Sequence, residues 1–455
     1  MKSMKHTTLM LLTLGLLASW ASAQNAPSGG YTLAQCVEYA RVNNPNIKIA
    51  RVNEQISVAQ TQQVIGKNLP QVSVSGSLLD NVKIPVQLLP GEFFGQPGTF
   101  LPVQFGTQYS STLTGRVDQK IFDPSFGLAL KAAKISTQVK AQATLQAEQT
   151  QAYNIARAYY QTLVIDLQKR LTIRDLNSSD TLLRQEQVRL KNGTTREIDF
   201  GRIQLNRNNL QSQLEQANRN YEQAINQLKY QMGMPLAETL TLQPLEVEKE
   251  LQVNELPMAD GRFVENRPDF KQLVLNTELQ DLNRQSNNRG YYPSLGFYGT
   301  YATNAQRQSF SFFDGSQSWF KSSTIGLTLS WTPFDGNQRK YRDRENRLNL
   351  ESLRLQQILA RESAQLNLSN AQVSYQNLVI DIQRERDNIT LARKILTVTE
   401  LEYKEGIATS VTLIDSKDAL TTAQNNLANK LISLYQSRLD YENSQGTILQ
   451  YVTQK

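Results

Sequence analysis

Two similar stretches, Pro70-Gln-Val-Ser-Val-Ser-Gly76 and Pro293-Ser-Leu-Gly-Phe-Tyr-Gly299, lie 223 residues apart in this chain of 455 residues. A second pair behaves in the same way, because residues 117–123 correspond to residues 329–335 at an offset of 212. Repetition at a nearly constant distance indicates a duplicated structural unit. The sequence therefore predicts a tandem repeat of a unit slightly longer than about 200 residues.

Each unit contains one very long helical pattern, at residues 125–190 and 336–403. Each pattern would extend about 100 Å at roughly 1.5 Å per residue, which is far longer than a globular-domain helix, so coiled-coil packing is predicted. Shorter helical patterns, taken in pairs, match the length of one long helix, and we expect two of them to stack end to end against each long helix. These shorter patterns are residues 33–66, 198–232, 262–288 and 412–445.

Strand-like patterns lie between the helices. In residues 324–331 every odd-numbered residue is apolar and every even-numbered residue is Thr, Gly or Ser, and residues 72–78, 113–121 and 294–301 alternate in a similar way. Such alternation is typical of transmembrane β-barrels, although a soluble sheet packed on a core would also alternate. Aromatic residues around the strand ends resemble the girdles found at membrane interfaces and favour the barrel.

Four strands are too few to close a membrane barrel, because the smallest barrels need about eight and a free edge is not tolerated in lipid. We therefore expect the chain to contribute strands to an oligomer. Two, three or four copies would give 8, 12 or 16 strands, and the strand patterns do not choose among these numbers.

The composition excludes several classes of protein. The single histidine, His6, and the single cysteine, Cys36, cannot build a catalytic triad, a zinc site or a disulfide scaffold, so no enzyme, metal site or cofactor is predicted. Acidic and basic residues are interspersed along the whole chain and form no compact basic patch, which argues against nucleic acid as a partner. The 48 Gln and 34 Asn residues are suited to helix faces that are wetted without strong charge.

The N-terminus has the pattern of a secretory signal peptide. Lys2 and Lys5 precede an apolar run, and Ala21-Ser22-Ala23 supplies small residues for cleavage, so residues 1–23 are predicted to be removed on export.

Further motifs resemble those of the TolC family of outer-membrane efflux proteins, and the resemblance extends over nearly all of the exported chain. The first helix opens with Tyr31-Thr-Leu-Ala-Gln-Cys-Val-Glu-Tyr-Ala40 and is followed by Asn44-Pro45. The second unit opens with Asn266-Arg-Pro-Asp269. The remaining motifs are Leu69-Pro70 before a strand, Phe122-Asp123 and Phe334-Asp335 after strands, and the turn glycines Gly193 and Gly406.

The resemblance implies a mainly α-helical chain with four transmembrane β-strands, which forms a homotrimer with a 12-stranded barrel and a helical tunnel. It implies a place in the outer membrane of a Gram-negative bacterium, in contact with outer-membrane lipid and with most of the mass in the periplasm. The implied function is passive conduction of substrates, in multidrug or metal efflux, from an inner-membrane transporter through a membrane-fusion adaptor. No phosphate-binding loop of the GxxxxGK[ST] type is present to supply energy within the chain.

The predicted domains are a signal peptide (1–23), a first repeat (24–233), an equatorial linker segment (234–261) and a second repeat (262–455). The resemblance also implies a periplasmic gate formed by Asp199, Tyr403 and Asp415, and adaptor contacts at Gly193 and Gly406. Thr412 and Ala408 stand where the family often has an Asp and an Arg, so fewer ionic links are expected here.

Two alternatives to an efflux channel stay open at this stage. The same channel could serve type I polypeptide secretion, or the chain could be a non-conducting periplasmic coiled-coil scaffold. The inner-membrane partner distinguishes the first alternative from efflux, and conductance in planar bilayers distinguishes the second.

Overall fold

The computed structural model describes residues 30–245, 256–258 and 260–454. The predicted signal peptide and the central part of the predicted linker, residues 246–255, lie outside the described residues. Among the residues described, no helix combines the length and apolar character needed to cross a lipid bilayer.

The order of elements repeats in the two halves of the chain. The first half contains helices α1 (Leu33–Asn43), α2 (Pro45–Gly66), α3 (Phe126–Lys191) and α4 (Glu197–Met232), and strands β1 (Gln71–Asp80), β2 (Val86–Pro90), β3 (Phe100–Gln104) and β4 (Tyr109–Phe122). The second half contains helices α5 (Phe263–Asn266), α6 (Pro268–Arg289), α7 (Gln338–Lys404), α8 (Ser410–Gln445) and α9 (Ile448–Thr453), and strands β5 (Ser294–Arg307) and β6 (Phe320–Ser330).

The predicted stacking of short helices on long ones is confirmed. Helices α2 and α4 both pack along the 66-residue α3, and α6 and α8 both pack along the 67-residue α7. The single helix predicted at residues 33–66 is instead broken at Asn44, because the proline that follows disfavours helical backbone at that residue.

Helices α2 and α6 each begin with a proline, and the residue before that proline also joins the stacked helices. In the first half, Asn44 Nδ2 donates to the carbonyl oxygen of Gln231 near the end of α4, at 2.7 Å. In the second half, Arg267 Nη1 donates to the carbonyl oxygen of Ser444 near the end of α8, at 2.8 Å. Carbonyl groups left unpaired at a helix end are thus satisfied by the chain that begins the next helix in the stack.

The largest apolar core among the described residues lies where α1, α3, α4, α7, α8 and α9 meet. Tyr160 of α3 stacks on Tyr435 of α8 with ring centroids 4.0 Å apart. Cys36 is fully buried in this core, and burial raises the pKa of its thiol to about 12. It therefore behaves as a small apolar residue rather than as a nucleophile.

Strands β1, β4, β5 and β6 form one antiparallel sheet in that order. The pairing places apolar side chains on one face and polar side chains on the other, as the alternating sequence predicts. The apolar face carries Val72, Val74, Leu78, Leu113, Val117, Phe297, Tyr301, Ile325, Leu327 and Leu329. The polar face carries Ser73, Ser75, Ser77, Thr112, Thr114, Arg116, Asp118, Thr300, Asn304, Thr324 and Thr328.

Strands β2 and β3 form a separate two-stranded ribbon that the alternation pattern did not indicate. Pro90 and Pro102 interrupt the sequence pattern there, since proline is usually excluded from strand interiors.

Candidate functional site at the helical tips

The two tight turns between long and short helices lie at the end of the helical region remote from the sheet. Gly193 and Gly406 both have positive φ, at 71° and 77°. The backbone N–H of Thr194 donates to the carbonyl of Arg189 at 2.9 Å, and that of Ile407 donates to the carbonyl of Glu402 at 2.8 Å, which closes each helix C-terminus. A Cβ atom on either glycine would meet no atom within 4 Å, so backbone conformation rather than crowding requires glycine within one copy.

Asp199, in the first turn of α4, joins the two halves of the chain. Its carboxylate accepts a hydrogen bond from Arg196 Nε at 2.8 Å and another from Ser410 Oγ, at the start of α8, also at 2.8 Å. The residue is only 9% exposed. The hydrogen bonds from Arg196 and Ser410 hold the pKa of Asp199 below its usual value, so the carboxylate stays charged at neutral pH.

Tyr403, in the last turn of α7, lies in a small apolar cluster with Ile203 of α4 and Leu413 of α8. Burial raises the pKa of its hydroxyl well above the usual value, and the charge of Glu186 on α3 raises it further. The charge of Asp199 also contributes to this rise in the pKa of Tyr403, so the structure brings the two predicted residues into one network.

Glu186 and Arg189 complete this network, and sequence reasoning missed both. Glu186 is 1% exposed, and its Oε1 lies 3.3 Å from Arg189 Nη1. The Arg189 guanidinium stacks over the Tyr403 ring at 5.5 Å, and its Nη2 donates to the carbonyl oxygen of Lys404 at 3.4 Å. A buried carboxylate on α3 thus positions an arginine that holds the C-terminal end of α7.

Asp415 lies apart from the network, on the exposed side of α8. It lies close enough to Asp418 for the two carboxylates to interact electrostatically. Burial, followed by the charges of Asp415 and Asp175, raises the pKa of Asp418. Thr412 caps the helix with Thr409, whose hydroxyl accepts the backbone N–H of Thr412 at 3.2 Å. The three predicted gate residues therefore divide into a buried pair and one exposed carboxylate.

Residues 261–446 match the sequence family described as outer membrane efflux protein. The match includes Tyr403, Gly406 and Asp415, whereas Gly193 and Asp199 lie in the preceding half. The predicted resemblance to the TolC-like efflux proteins is confirmed, and because the members of that family are transport channels, so is the prediction that the chain is not an enzyme.

Known structures have the same fold over most of the chain. The open state of the Neisseria gonorrhoeae MtrE outer membrane channel is 17% identical, with a TM-score of 0.73 over 93% of this chain and 91% of that chain. The Campylobacter jejuni CmeC outer membrane channel is 14% identical, with a TM-score of 0.69 over 98% and 94%. The Vibrio cholerae outer membrane protein VceC is 14% identical, with a TM-score of 0.67 over 91% and 96%. A comparison with curated protein sequences found no match.

Proposed function

We propose that three copies of this chain form an outer-membrane channel of a Gram-negative bacterium, which passively conducts substrates delivered by an inner-membrane pump and a periplasmic adaptor. The observation that carries the proposal is the sheet formed by β1, β4, β5 and β6. It has an apolar face, a polar face and two edge strands that have no second partner among the described residues.

A sheet of this kind suits a membrane barrel better than a soluble core. Val72, Val74, Ile325, Leu327 and Leu329 are all more than half exposed, although they form the apolar face. Lipid would cover this face, while the opposite Ser- and Thr-rich face would line a water-filled lumen. In lipid the unpaired edges would leave backbone groups without hydrogen bonds, so additional copies are needed to close the sheet.

The long helix α7 also has an uncovered apolar surface, which we name the α7 seam. Its other side packs against α8 and buries Ala364, Leu368 and Tyr375. The seam consists of Leu348, Leu355, Leu359, Leu366, Val373 and Ile380, each between 52% and 66% exposed. A row of apolar residues with this spacing is typical of a coiled-coil contact, and we assign it to a neighbouring copy in the trimer. Val42 of α1 and Val52 of α2, with similar exposure, supply an apolar surface for the other side of the contact.

We assign the gate of this channel to the helical tips. Asp199, Tyr403, Glu186 and Arg189 hold the two helical hairpins of one copy together, and separation of the hairpins would have to break these contacts. Asp415 is free to face the axis, where three copies would form a ring of negative charge. The exposed glycines Gly193 and Gly406 are the sites at which we expect the adaptor to approach.

The proposal is tested by mass and by conductance. Protein extracted from membranes in mild detergent should have the mass of three chains, and its insertion into planar bilayers should give discrete conductance steps. A water-soluble monomer would contradict the trimer, and a trimer without conductance would favour a scaffold.

Crosslinking in cells from cysteines placed next to Gly193 and Gly406 should capture an adaptor of an efflux pump. Capture of a polypeptide-secretion complex would show instead that the channel serves type I polypeptide secretion.

A further inference from the structure

The edge strands of the sheet fit each other. Strand β1 has ten residues and β6 has eleven, and the three antiparallel pairings between them make the two strands run in opposite directions. We propose that β1 of one copy pairs with β6 of the next copy in a single register. This inference rests on the proposed trimer. In that register Gln71 lies opposite Ser330 and Asp80 lies opposite Lys321.

The two faces of the sheet restrict the possible registers. Along one row of partners, Val72 lies opposite Val117, Val117 opposite Gly299, and Gly299 opposite Ile325. Even-numbered residues of β1 and odd-numbered residues of β6 therefore share the apolar face. Since side chains alternate with a period of two, a slip by one residue would place Val72 opposite a polar-face residue of the next copy. Only registers that join even to odd positions keep the apolar face continuous.

The length of contact favours one of these registers. With Gln71 opposite Ser330, all ten residues of β1 find partners within β6. A slip by two residues leaves nine pairs in one direction and eight in the other. On the apolar face this register sets Val72 opposite Leu329 and Val74 opposite Leu327, while on the polar face it sets Ser73 opposite Thr328.

Charge complementarity selects the same register. Asp80 and Lys321 are both exposed at the ends of the edge strands remote from the helices, and neither has an ion-pair partner among the described residues of its own chain. The register places their side chains directly opposite each other, where opposite charges stabilise a strand pair. A slip by two residues would set Asp80 opposite Ser323 or Trp319 and leave both charges unpaired.

The geometry of a closed barrel agrees with this register. Within one copy, a lateral row of partners runs from Gln71 through Asp118 and Tyr298 to Gly326. The proposed pairing places Gly326 opposite Ser75 of the next copy, so the row climbs by four residues per copy. With a rise of about 3.3 Å and a strand spacing of about 4.8 Å, this stagger tilts the strands by about 35°, within the range of about 35–45° seen in transmembrane barrels. A slip that lowers the stagger to two residues would give a tilt of only about 19°. The opposite slip, to six residues, would give about 46°, and it is disfavoured by its eight strand pairs and by the loss of the Asp80–Lys321 pairing.

Disulfide crosslinking tests the register. In the variant Ser73→Cys/Thr328→Cys, the two cysteines of one chain are separated by three strand spacings, about 14 Å. They are also four residues apart along the strand direction, because Ser73 lies in one row with Thr324, so an internal disulfide cannot form. Mild oxidation of membranes should therefore join different chains and give a covalent trimer on a non-reducing gel. The off-register variants Ser75→Cys/Thr324→Cys and Ser73→Cys/Ser330→Cys should crosslink about tenfold more slowly. The wild-type chain, whose Cys36 is fully buried, is the matched control and should not crosslink.

The outcomes separate the register from the proposed trimer. Faster crosslinking of an off-register variant, in protein that still has trimeric mass, would overturn the register alone. Monomeric mass together with no crosslinking in any variant would overturn both. Charge reversal is an independent test: Asp80→Lys should lower the temperature at which the trimer dissociates in SDS, and adding Lys321→Asp should restore it. Failure of the second change to restore the trimer would contradict the Asp80–Lys321 pairing.

Discussion

The carboxylate of Asp199 and the hydroxyl of Ser410, which are 211 positions apart in sequence, form a hydrogen bond of 2.8 Å between the first turns of α4 and α8. This bond links the two halves of the duplicated chain at their tips. Beside it, Glu186 and Arg189 link α3 to the end of α7. These contacts hold the two hairpins together at their tips.

The first prediction concerns Asp199→Asn. An amide in place of the carboxylate weakens the hydrogen bond to Ser410 and removes the ion pair with Arg196, at a cost of about 1–3 kcal/mol. We expect longer open times in planar bilayers at neutral pH, with an unchanged amount of folded trimer. Glu197→Gln is the matched control, because it also removes a carboxylate from the first turn of α4 but from an exposed position. If both variants had the same effect, the carboxylate of Asp199 would act only through its favourable interaction with the helix dipole, and not through its contacts with Ser410 and Arg196.

The same residue predicts a dependence on pH. The pKa of Asp199 is lower in the folded protein than in the unfolded chain, so its stabilising effect is present above the ordinary Asp pKa of about 3.9 and is lost as the pH falls through the lower, folded value. Wild-type channels should therefore begin to open spontaneously only below about pH 4. Asp199→Asn channels should lack this acid-induced step, and persistence of the step would assign it to another carboxylate.

The second prediction concerns the turn glycines. Gly193→Val or Gly406→Val places a β-branched side chain at positive φ, which costs about 1–2 kcal/mol locally, and it adds bulk where we expect the adaptor to approach. Efflux in cells should fall while the amount of trimer in the membrane stays the same. Gly201→Val, at an exposed site of α4 with ordinary helical backbone, should leave efflux unchanged. Parallel loss of efflux and trimer would indicate that the glycines are needed for folding alone.

The third prediction concerns Asp415. Three carboxylates that converge on the axis would attract multivalent cations, so trivalent cations added on the periplasmic side should block conductance. Asp415→Ala should weaken this block without affecting trimer formation. Asp387→Ala, which removes an exposed carboxylate of α7 away from the tip, should not. An undiminished block in Asp415→Ala channels would place Asp415 away from the axis.

The fourth prediction concerns the α7 seam. Val373→Asp would bury a carboxylate in an apolar contact between copies, at a cost of at least the roughly 1.5–3 kcal/mol gained by burying an apolar side chain. We expect dissociation to monomers in SDS at lower temperature, with helix content unchanged by circular dichroism. Gln372→Asp introduces the same charge at the adjacent exposed position, beside the seam, and should have little effect. A trimer of normal stability in Val373→Asp would remove the seam from the interface.

Local sequence patterns determined most of the fold. The helices predicted at 125–190 and 336–403 are observed at Phe126–Lys191 and Gln338–Lys404, and the strand alternation correctly divides the sheet into an apolar and a polar face. Helical and strand periodicities act over neighbouring residues, so they can be read without knowledge of distant contacts. The break at Asn44 also has a local cause, because Pro45 disfavours helical backbone at the preceding residue and overrides the helical periodicity of residues 33–66.

Only the tertiary structure decided which residues act together at the tips. Sequence alone singled out Asp199 as a first-turn carboxylate, yet its bond to Ser410 depends on the packing of α4 beside α8. Glu186 and Arg189 look like any exposed pair three residues apart on a helix. Their role arises because Glu186 is buried in the packed structure and Arg189 lies against the end of α7. Burial and partners of this kind depend on contacts between residues more than 200 positions apart, whose approach is set by the packing of whole helices and not by any local pattern.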